Sequence, residues 1–351
     1  MTDMMQRIVL AARPQGTPKP ADFRLESLPV PTPGKGEILV RVIWLSLDPY
    51  MRGRMDDAKS YADPVPLGGV MEGGTVAEVI ASDHPKWQVG DIVEGRFGWQ
   101  SHAISDGAML RRLDPAQAPV STALGVLGMP GITAYVGLND HGRPKAGETL
   151  VVSAATGAVG SLVGQLGKAY GLRVVGVAGG ARKCAFAVDE LGFDACIDHR
   201  AAADASAMRK ELAKECPKGV DIYFENVGGK TLEAVLPLMN PLGRIPVCGM
   251  ISWYNEGALG AGAASTMSMP ALWRSILVKR LAVRGFIITD HYDRFPAFLA
   301  EVSGHLASGK VTYRETIAEG LEAAPEAFIA MLGGGNFGKQ LVRVSPDPTR
   351  G

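Results

Sequence analysis

Two kinds of residue in this chain could do chemistry: glycines that would open backbone N–H groups to an anion, and tyrosines that could donate a proton. From Thr149 to Lys183 the sequence reads TLVVSAATGAVGSLVGQLGKAYGLRVVGVAGGARK. Its turn carries Ala155-x-Gly157-x-x-Gly160, with Ala158 and Val159 between the glycines. Such glycines let a backbone approach a pyrophosphate while the N–H groups and dipole of a helix N-terminus face it. The full fingerprint has glycine at the first position, so Ala155 weakens the match and leaves open a tight turn of another doubly wound protein. The next apolar run ends in Ala178, Gly179 and Gly180, followed by Arg182 and Lys183. A carboxylate at that point would hold the ribose 2′-hydroxyl of NAD, whereas a 2′-phosphate calls for cations. There is none among these residues, and two cations arrive together, which favours NADP(H).

Tyr50, Tyr61 and Tyr254 are the candidate proton donors. A phenol with a reference pKa of about 10 is protonated at neutral pH and can donate to a developing oxyanion or supply a proton to carbon. Each also has a plainer reading as an amphipathic packing residue. Tyr254 is favoured by its place just after the apolar run Ile245 to Gly249, because ligands of doubly wound sheets sit at the carboxyl ends of the strands. No metal site is expected. Residues 1–183 contain no cysteine, His84, His102 and His141 stand alone, and Cys184, Cys196, Cys216 and Cys248 are too scattered for ligand spacing. Without a Lewis acid, hydride addition to an already polarised alkene is more natural than alcohol oxidation. Cys184, beside Lys183 at a helix start, is either a favoured thiolate or a packed small residue.

The elements that must position these residues follow from the apolar pattern. Leu150 to Val152 is a strand, Val159, Leu162, Val163 and Leu166 have helical spacing, and Arg173 to Val177 is a second strand, which together make one βαβ unit. From about Met129 onward, strand candidates begin near Leu150, Val174, Ala195, Val220, Arg244 and Ala282. These predict an α/β fold, a doubly wound six-stranded parallel sheet of Rossmann type. Before it, Arg7 to Ala12, Glu37 to Trp44, Gly74 to Ile80 and Ile92 to Glu94 read as short strands of a β-rich, partly open barrel or sandwich. Gln340 to Val344 returns to strand texture. The expected division is a catalytic β-rich domain over 1–126, an NADP-binding domain over 127–310, and a return to the catalytic domain over 311–351.

The chain has 351 residues, is 46% hydrophobic and has a formal net charge of 0. That composition suits a soluble globular protein and gives no electrostatic footprint for nucleic acid or membrane. Met1 to Arg7 lacks the pattern of a signal peptide, so a cytoplasmic location is expected. Leu281 to Ile288 (LAVRGFII) is too apolar for an open sheet edge and is expected to pair with its own copy in a homodimer. Ala258 to Pro270, rich in Gly, Ala, Ser and Met, is either a substrate lid or a plain surface loop.

A set of motifs running through the whole chain resembles the zinc-independent medium-chain dehydrogenase/reductases, in particular the leukotriene B4 12-hydroxydehydrogenase, prostaglandin reductase and curcumin reductase group. They are Asp48-Pro49-Tyr50-Met51-Arg52, the Ala154 to Gly160 turn, Ala178-Gly179-Gly180 with Lys183, Asn226-Val227-Gly228-Gly229, Gly249 to Asn255, Arg284-Gly285-Phe286 and Gly335-Asn336-Phe337-Gly338-Lys339. The resemblance implies a homodimer that reduces the carbon-carbon double bond of small α,β-unsaturated ketones or aldehydes with NADPH. It puts Lys183 on the 2′-phosphate, Asn226 and Asn336 near the cofactor, and Phe286, Ile287 and Ile288 alongside the nicotinamide. The family often has tyrosine where this chain has His199. That histidine could stack or donate near the adenosine phosphate, or be a surface residue. A quinone oxidoreductase of the same superfamily, and a nucleotide-binding protein without chemistry, remain alternatives.

Overall fold

A computed structural model describes residues 3–257, 260 and 267–350 of the chain. Most of the expected lid segment, Ala258 to Pro270, lies outside the described residues. The chain divides into two compact units, Met1–Gly125 with Asn255–Ala258 and Glu315–Gly351, and Val126–Tyr254 with Leu259–Arg314. The sequence reading did not anticipate the grouping of Asn255–Ala258 with the first unit, and it placed the second crossing at 310/311 rather than 314/315.

The second unit holds β1 (Thr149–Ser153), β2 (Arg173–Ala178), β3 (Ala195–Asp198), β4 (Val220–Phe224), β5 (Met239–Val247) and β6 (Ala282–Gly285). They form one sheet in the order β3-β2-β1-β4-β5-β6, every pair parallel. This is the doubly wound order, with the strand sequence reversing direction between β1 and β4. Both faces of a parallel sheet are covered by helices, which explains the unbroken apolar runs. Val151, Val175, Val177, Tyr223 and Ile245 are buried against Met208, Leu212 and Val235 of the crossover helices. β5 begins five residues before the expected Arg244, and Leu242 inside it has a φ of 63°.

In the first unit a seven-stranded sheet runs Glu315–Glu319, Lys339–Arg343, Ile38–Ser46, Thr75–Ser82, Ile92–Gly95, Arg111–Arg112, with His102–Ser105 also paired to Ile38–Ser46. Its pairs are antiparallel except Glu315–Glu319 with Lys339–Arg343, so the C-terminal residues complete this sheet. The first strand is Met4–Leu10, earlier than the expected Arg7 to Ala12, and it pairs with Phe23–Pro29. Phe23 stacks on Trp99 with centroids 5.5 Å apart, and Phe328 meets both rings edge-on in the core of this unit.

Candidate functional site

The turn after β1 is shaped by backbone contacts. Ala154 takes the left-handed region with φ 51°, strain an alanine accepts at a cost of about 1 kcal/mol or more. Its carbonyl oxygen accepts from Gly157 N at 2.9 Å, and a Cβ on Gly160 would collide with that oxygen and stand 2.9 Å from the carbonyl carbon. Gly160 is thus the residue that lets the helix Gly160–Ala169 start against β1. Ala155 N donates to Val177 O at 3.0 Å, and its methyl lies 2.8 Å from where a Cβ on Gly176 would stand. The alanine at the first fingerprint position is therefore accommodated by a glycine in β2. Gly157, Ala158 and Val159 are partly exposed at the head of the helix, whose first turn carries no acidic side chain. The helix end is left suited to an anion.

Beyond β2 the structure gathers cations. A Cβ on Gly179 would lie 2.8 Å from His199 Nε2 and 3.0 Å from Arg200 Nε, so a side chain there would push the imidazole and guanidinium aside. Burial, and then the charge of Arg200, lower the pKa of Lys183, which places the two cations as neighbours. Lys230 Nζ donates to His199 O at 2.6 Å and Ala202 O at 2.7 Å. Burial, followed by Lys230 and Arg200, holds the imidazole of His199 below its usual pKa and hence neutral at pH 7. His199 is therefore part of the cluster and not a detached surface residue. Asp198, the acid nearest this turn, accepts from the N–H groups of Gly180 and Arg200, both at 2.8 Å. Its carboxylate is engaged by backbone, and the side chains over Gly179 are cationic or neutral. Arg200 and Lys230 escaped the sequence reading, although Arg200 directly follows the Asp198-His199 pair that drew attention.

A second cluster sits at the ends of β1, β4 and β5. Glu225 Oε1 accepts from Ser153 Oγ at 3.1 Å, Val227 N at 2.7 Å and Gly228 N at 2.9 Å, while burial raises the pKa of this carboxyl. Asn226 Nδ2 donates to Ser153 O at 2.8 Å, tying β4 to β1. Asn226 O and Val227 O accept from Ile251 N and Ser252 N at 3.1 and 3.0 Å. These bonds fix the 3-10 segment Ile251–Glu256 that carries Tyr254. The Tyr254 phenol oxygen accepts from Met250 N at 3.3 Å and lies 3.0 Å from the position a Cβ on Gly249 would take. A phenol hydroxyl can accept and donate at once.

Tyr50 and Tyr61 belong to the first unit, where Arg54 brings them together. Its guanidinium lies 4.4 Å from the Tyr61 ring centroid and 5.8 Å from that of Tyr50, while Glu72 Oε1 accepts from Arg54 Nε at 2.7 Å. Tyr50 is half-buried, and desolvation is the main cause holding its phenol protonated, helped by Asp48 and Glu72, while it shares a hydrogen bond with Arg96. Tyr61 is 48% exposed. Asn336, also in the first unit, uses its side-chain amide to close its own turn onto Gly338 O at 2.7 Å. In the second unit the Phe286 ring packs 4.9 Å from His141 and against Gly137, and Ile287 and Ile288 continue from it, partly buried. Among the described residues no group of three or more His, Cys, Asp and Glu side chains could hold a metal ion.

The glycine turn and cation pocket fit a phosphorylated dinucleotide, and comparison with known proteins gives the lineage. Residues 6–113 match the family described as N-terminal domain of oxidoreductase, and residues 158–304 the one described as zinc-binding dehydrogenase. The chain is 54% identical over 343 residues to the NADPH-dependent curcumin reductase of Escherichia coli, covering 97% of each. It belongs to the medium-chain dehydrogenase/reductases. Among other members, the Nicotiana tabacum 2-alkenal reductase (NADP(+)-dependent) is 41% identical, with 97% of each chain covered. The structure of CurA from Vibrio vulnificus in complex with NADPH superposes with a TM-score of 0.91 at 52% identity, covering 97% of this chain and 100% of that one. Within the medium-chain dehydrogenase/reductases the word zinc in the second family description does not describe this chain's side chains: Cys184, Cys196, Cys216 and Cys248 are free thiols and form no ligand group.

Proposed function

We propose that the chain is an NADPH-dependent ene-reductase acting on α,β-unsaturated ketones or aldehydes. The observation that carries this reading is the cation pocket over Gly179 in a chain 54% identical to a curcumin reductase. Lys183 and Arg200, with neutral His199, hold the 2′-phosphate of the cofactor. The Gly157 to Gly160 turn receives the pyrophosphate, and Asn226 with the main chain of residues 286–288 lines the nicotinamide end. Bound NADPH supplies a hydride to the β-carbon of the substrate. Tyr254 donates a hydrogen bond to the oxygen on which negative charge develops, its own oxygen being steadied by Met250 N–H. Tyr50 and Tyr61 hold the substrate or supply the α-proton, both oriented by Arg54, with the Tyr50 phenol kept protonated chiefly by desolvation.

The enzyme works as a homodimer. β6 lies at the edge of its sheet with Val283 45% exposed, and the adjoining helix Met269–Lys279 exposes Trp273 by 63% and Leu277 by 77%. An apolar edge and helix of that kind suit a two-fold partner. None of the described helices is long and apolar enough to cross a membrane. Four free thiols suit a reducing compartment such as the cytoplasm. NADPH oxidation against a panel of enones, alkenals and quinones tests the reading. Enones giving products heavier by two hydrogens support it, and turnover confined to quinones or no turnover at all overturns it.

A further inference from the structure

Below the cation pocket lies a pair of thiols that cofactor binding does not use. The helix Ala181–Asp189 descends from Gly180 as β3 rises to Asp198, and the two are fastened at the top where Gly180 N donates to Asp198 Oδ1 at 2.8 Å. One helical turn past Gly180, about 6 Å down the axis, is Cys184. Two residues before Asp198 on the same face of the strand, about 6.6 Å down, is Cys196. The register therefore brings both sulfurs to one level between helix and sheet. Cys196 Sγ lies 3.2 Å from the position a Cβ on Gly176 would take, so that glycine leaves the sulfur its space. The two thiols share a hydrogen bond, and both lie against the backbone of Ala178.

That contact makes the pair unequal. The hydrogen bond from Cys196 pulls the Cys184 thiol below its usual pKa despite its burial, while the same bond and deeper burial push Cys196 up. Cys184 is thus the better nucleophile and Cys196 the proton holder, the division of labour of an attacking and a resolving thiol.

We propose that Cys184 and Cys196 are an oxidisable dithiol whose disulfide distorts the 2′-phosphate pocket directly above it. With hydrogen peroxide as oxidant, the Cys184 thiolate attacks one peroxide oxygen, the O–O bond breaks, and sulfenic acid and hydroxide form. The Cys196 sulfur, losing its proton to hydroxide, then attacks the sulfenic sulfur, the S–S bond forms, and the S–OH oxygen leaves as hydroxide, which becomes water with the proton that Cys184 had released on ionising. Two thiols and one peroxide give one disulfide and two waters, and two electrons pass from sulfur to oxygen. The new bond draws the helix turn carrying Lys183 onto the strand that leads into His199 and Arg200, and NADPH binding weakens. Formation of the bond is independent of the cofactor assignment, whereas its effect on NADPH rests on Lys183 and Arg200 holding the 2′-phosphate.

The test uses the intact protein treated with hydrogen peroxide, alkylated and mapped by mass spectrometry, beside NADPH and NADH kinetics. Free thiols are expected to fall from four to two, with a Cys184–Cys196 cross-linked peptide lighter by two hydrogens. The NADPH KM is expected to rise about tenfold, the lower end for one charge-assisted contact, with the NADH KM unmoved and dithiothreitol restoring the NADPH KM and the free thiols. Cys184→Ala and Cys196→Ala keep the activity of the reduced enzyme and lose the peroxide-induced shift. Oxygen adducts on Cys184 without a cross-link, while Cys196 is present, overturn the dithiol. A cross-link that leaves the NADPH KM unchanged, in a protein whose Lys183→Ala variant does lose NADPH, overturns the distortion. The same unchanged KM alongside an unaffected Lys183→Ala variant overturns the cofactor assignment instead.

Discussion

Removing the cations over Gly179 is the sharpest perturbation of cofactor choice. Lys183 lies close enough to Arg200 for the charge of Arg200 to lower its pKa, and the Arg200 guanidinium stands over Gly179. A phosphate dianion placed there relieves that repulsion and gains a charge-assisted hydrogen bond from each, worth about 1.5 to 3 kcal/mol apiece. Because Lys183 is only partly buried, solvent screening brings its share toward about 1.5 kcal/mol, or roughly tenfold in affinity. Lys183→Ala and Arg200→Ala should each raise the NADPH KM about tenfold or more while the NADH KM stays within about twofold. Relief of the repulsion is lost with either cation and so is counted in both singles, which means the double variant should lose less than the sum of the two singles. Steady-state kinetics with both cofactors, at constant ionic strength, measures this. Equal changes in the two KM values would refute the assignment of these residues to the 2′-phosphate.

Gly160→Ala should destabilise the protein by about 1 to 3 kcal/mol in urea unfolding, since its methyl meets the rigid Ala154 backbone and not a side chain that can swing aside; unchanged stability would show that the turn can relax. Light scattering should give twice the 37.0 kDa chain mass, and Leu277→Glu should shift the protein toward monomer; a monomeric wild type at micromolar concentration contradicts the dimer. Burial lowers the pKa of His102, His141 and His199, so the folded state excludes protons that the unfolded chain takes up near pH 6.5. Stability is therefore full above about pH 6.5 and falls as pH drops through it, by up to about 1.4 kcal/mol per pH unit for each histidine. A melting temperature flat from pH 7.5 to about 5.5 would contradict that linkage.

The second unit was legible in the sequence because a parallel sheet covered on both faces needs unbroken apolar strands. Leu150 to Val152 and Ile222 to Phe224 are such runs, and the βαβ turn fixed the direction of the first. β5 was harder, because Leu242 in the left-handed region and the register change opposite Val220 break its periodicity before Arg244. Single site residues fared according to whether their partners were near in sequence. Lys183 follows its glycines directly, whereas Arg200 and Lys230 reach the same pocket from the ends of other elements, and nothing local marks them. Asp198 shows the limit of counting acids: it stands beside the pocket, yet two backbone N–H groups occupy one of its oxygens. Asn336 and Phe286 matched family motifs, but the amide of one closes a turn and the ring of the other packs on His141. Arg54, which brings Tyr50 and Tyr61 together, was passed over because an arginine in a four-residue helix carries no periodic signal.

The central claim is that a phenol in the second unit stabilises negative charge on an enone oxygen, and Tyr254→Phe tests it most directly. Without the hydroxyl, Met250 N–H loses its acceptor and the substrate oxygen loses its donor, while the cation pocket is untouched. Loss of one such donor from a dry site costs about 2.7 to 4 kcal/mol. Single-turnover reduction of an enone by Tyr254→Phe preloaded with NADPH should slow about 10²- to 10³-fold, with NADPH affinity unchanged. Reduction at the wild-type rate, with Tyr50→Phe or Tyr61→Phe crippled instead, would contradict the account and assign the donor to the first unit.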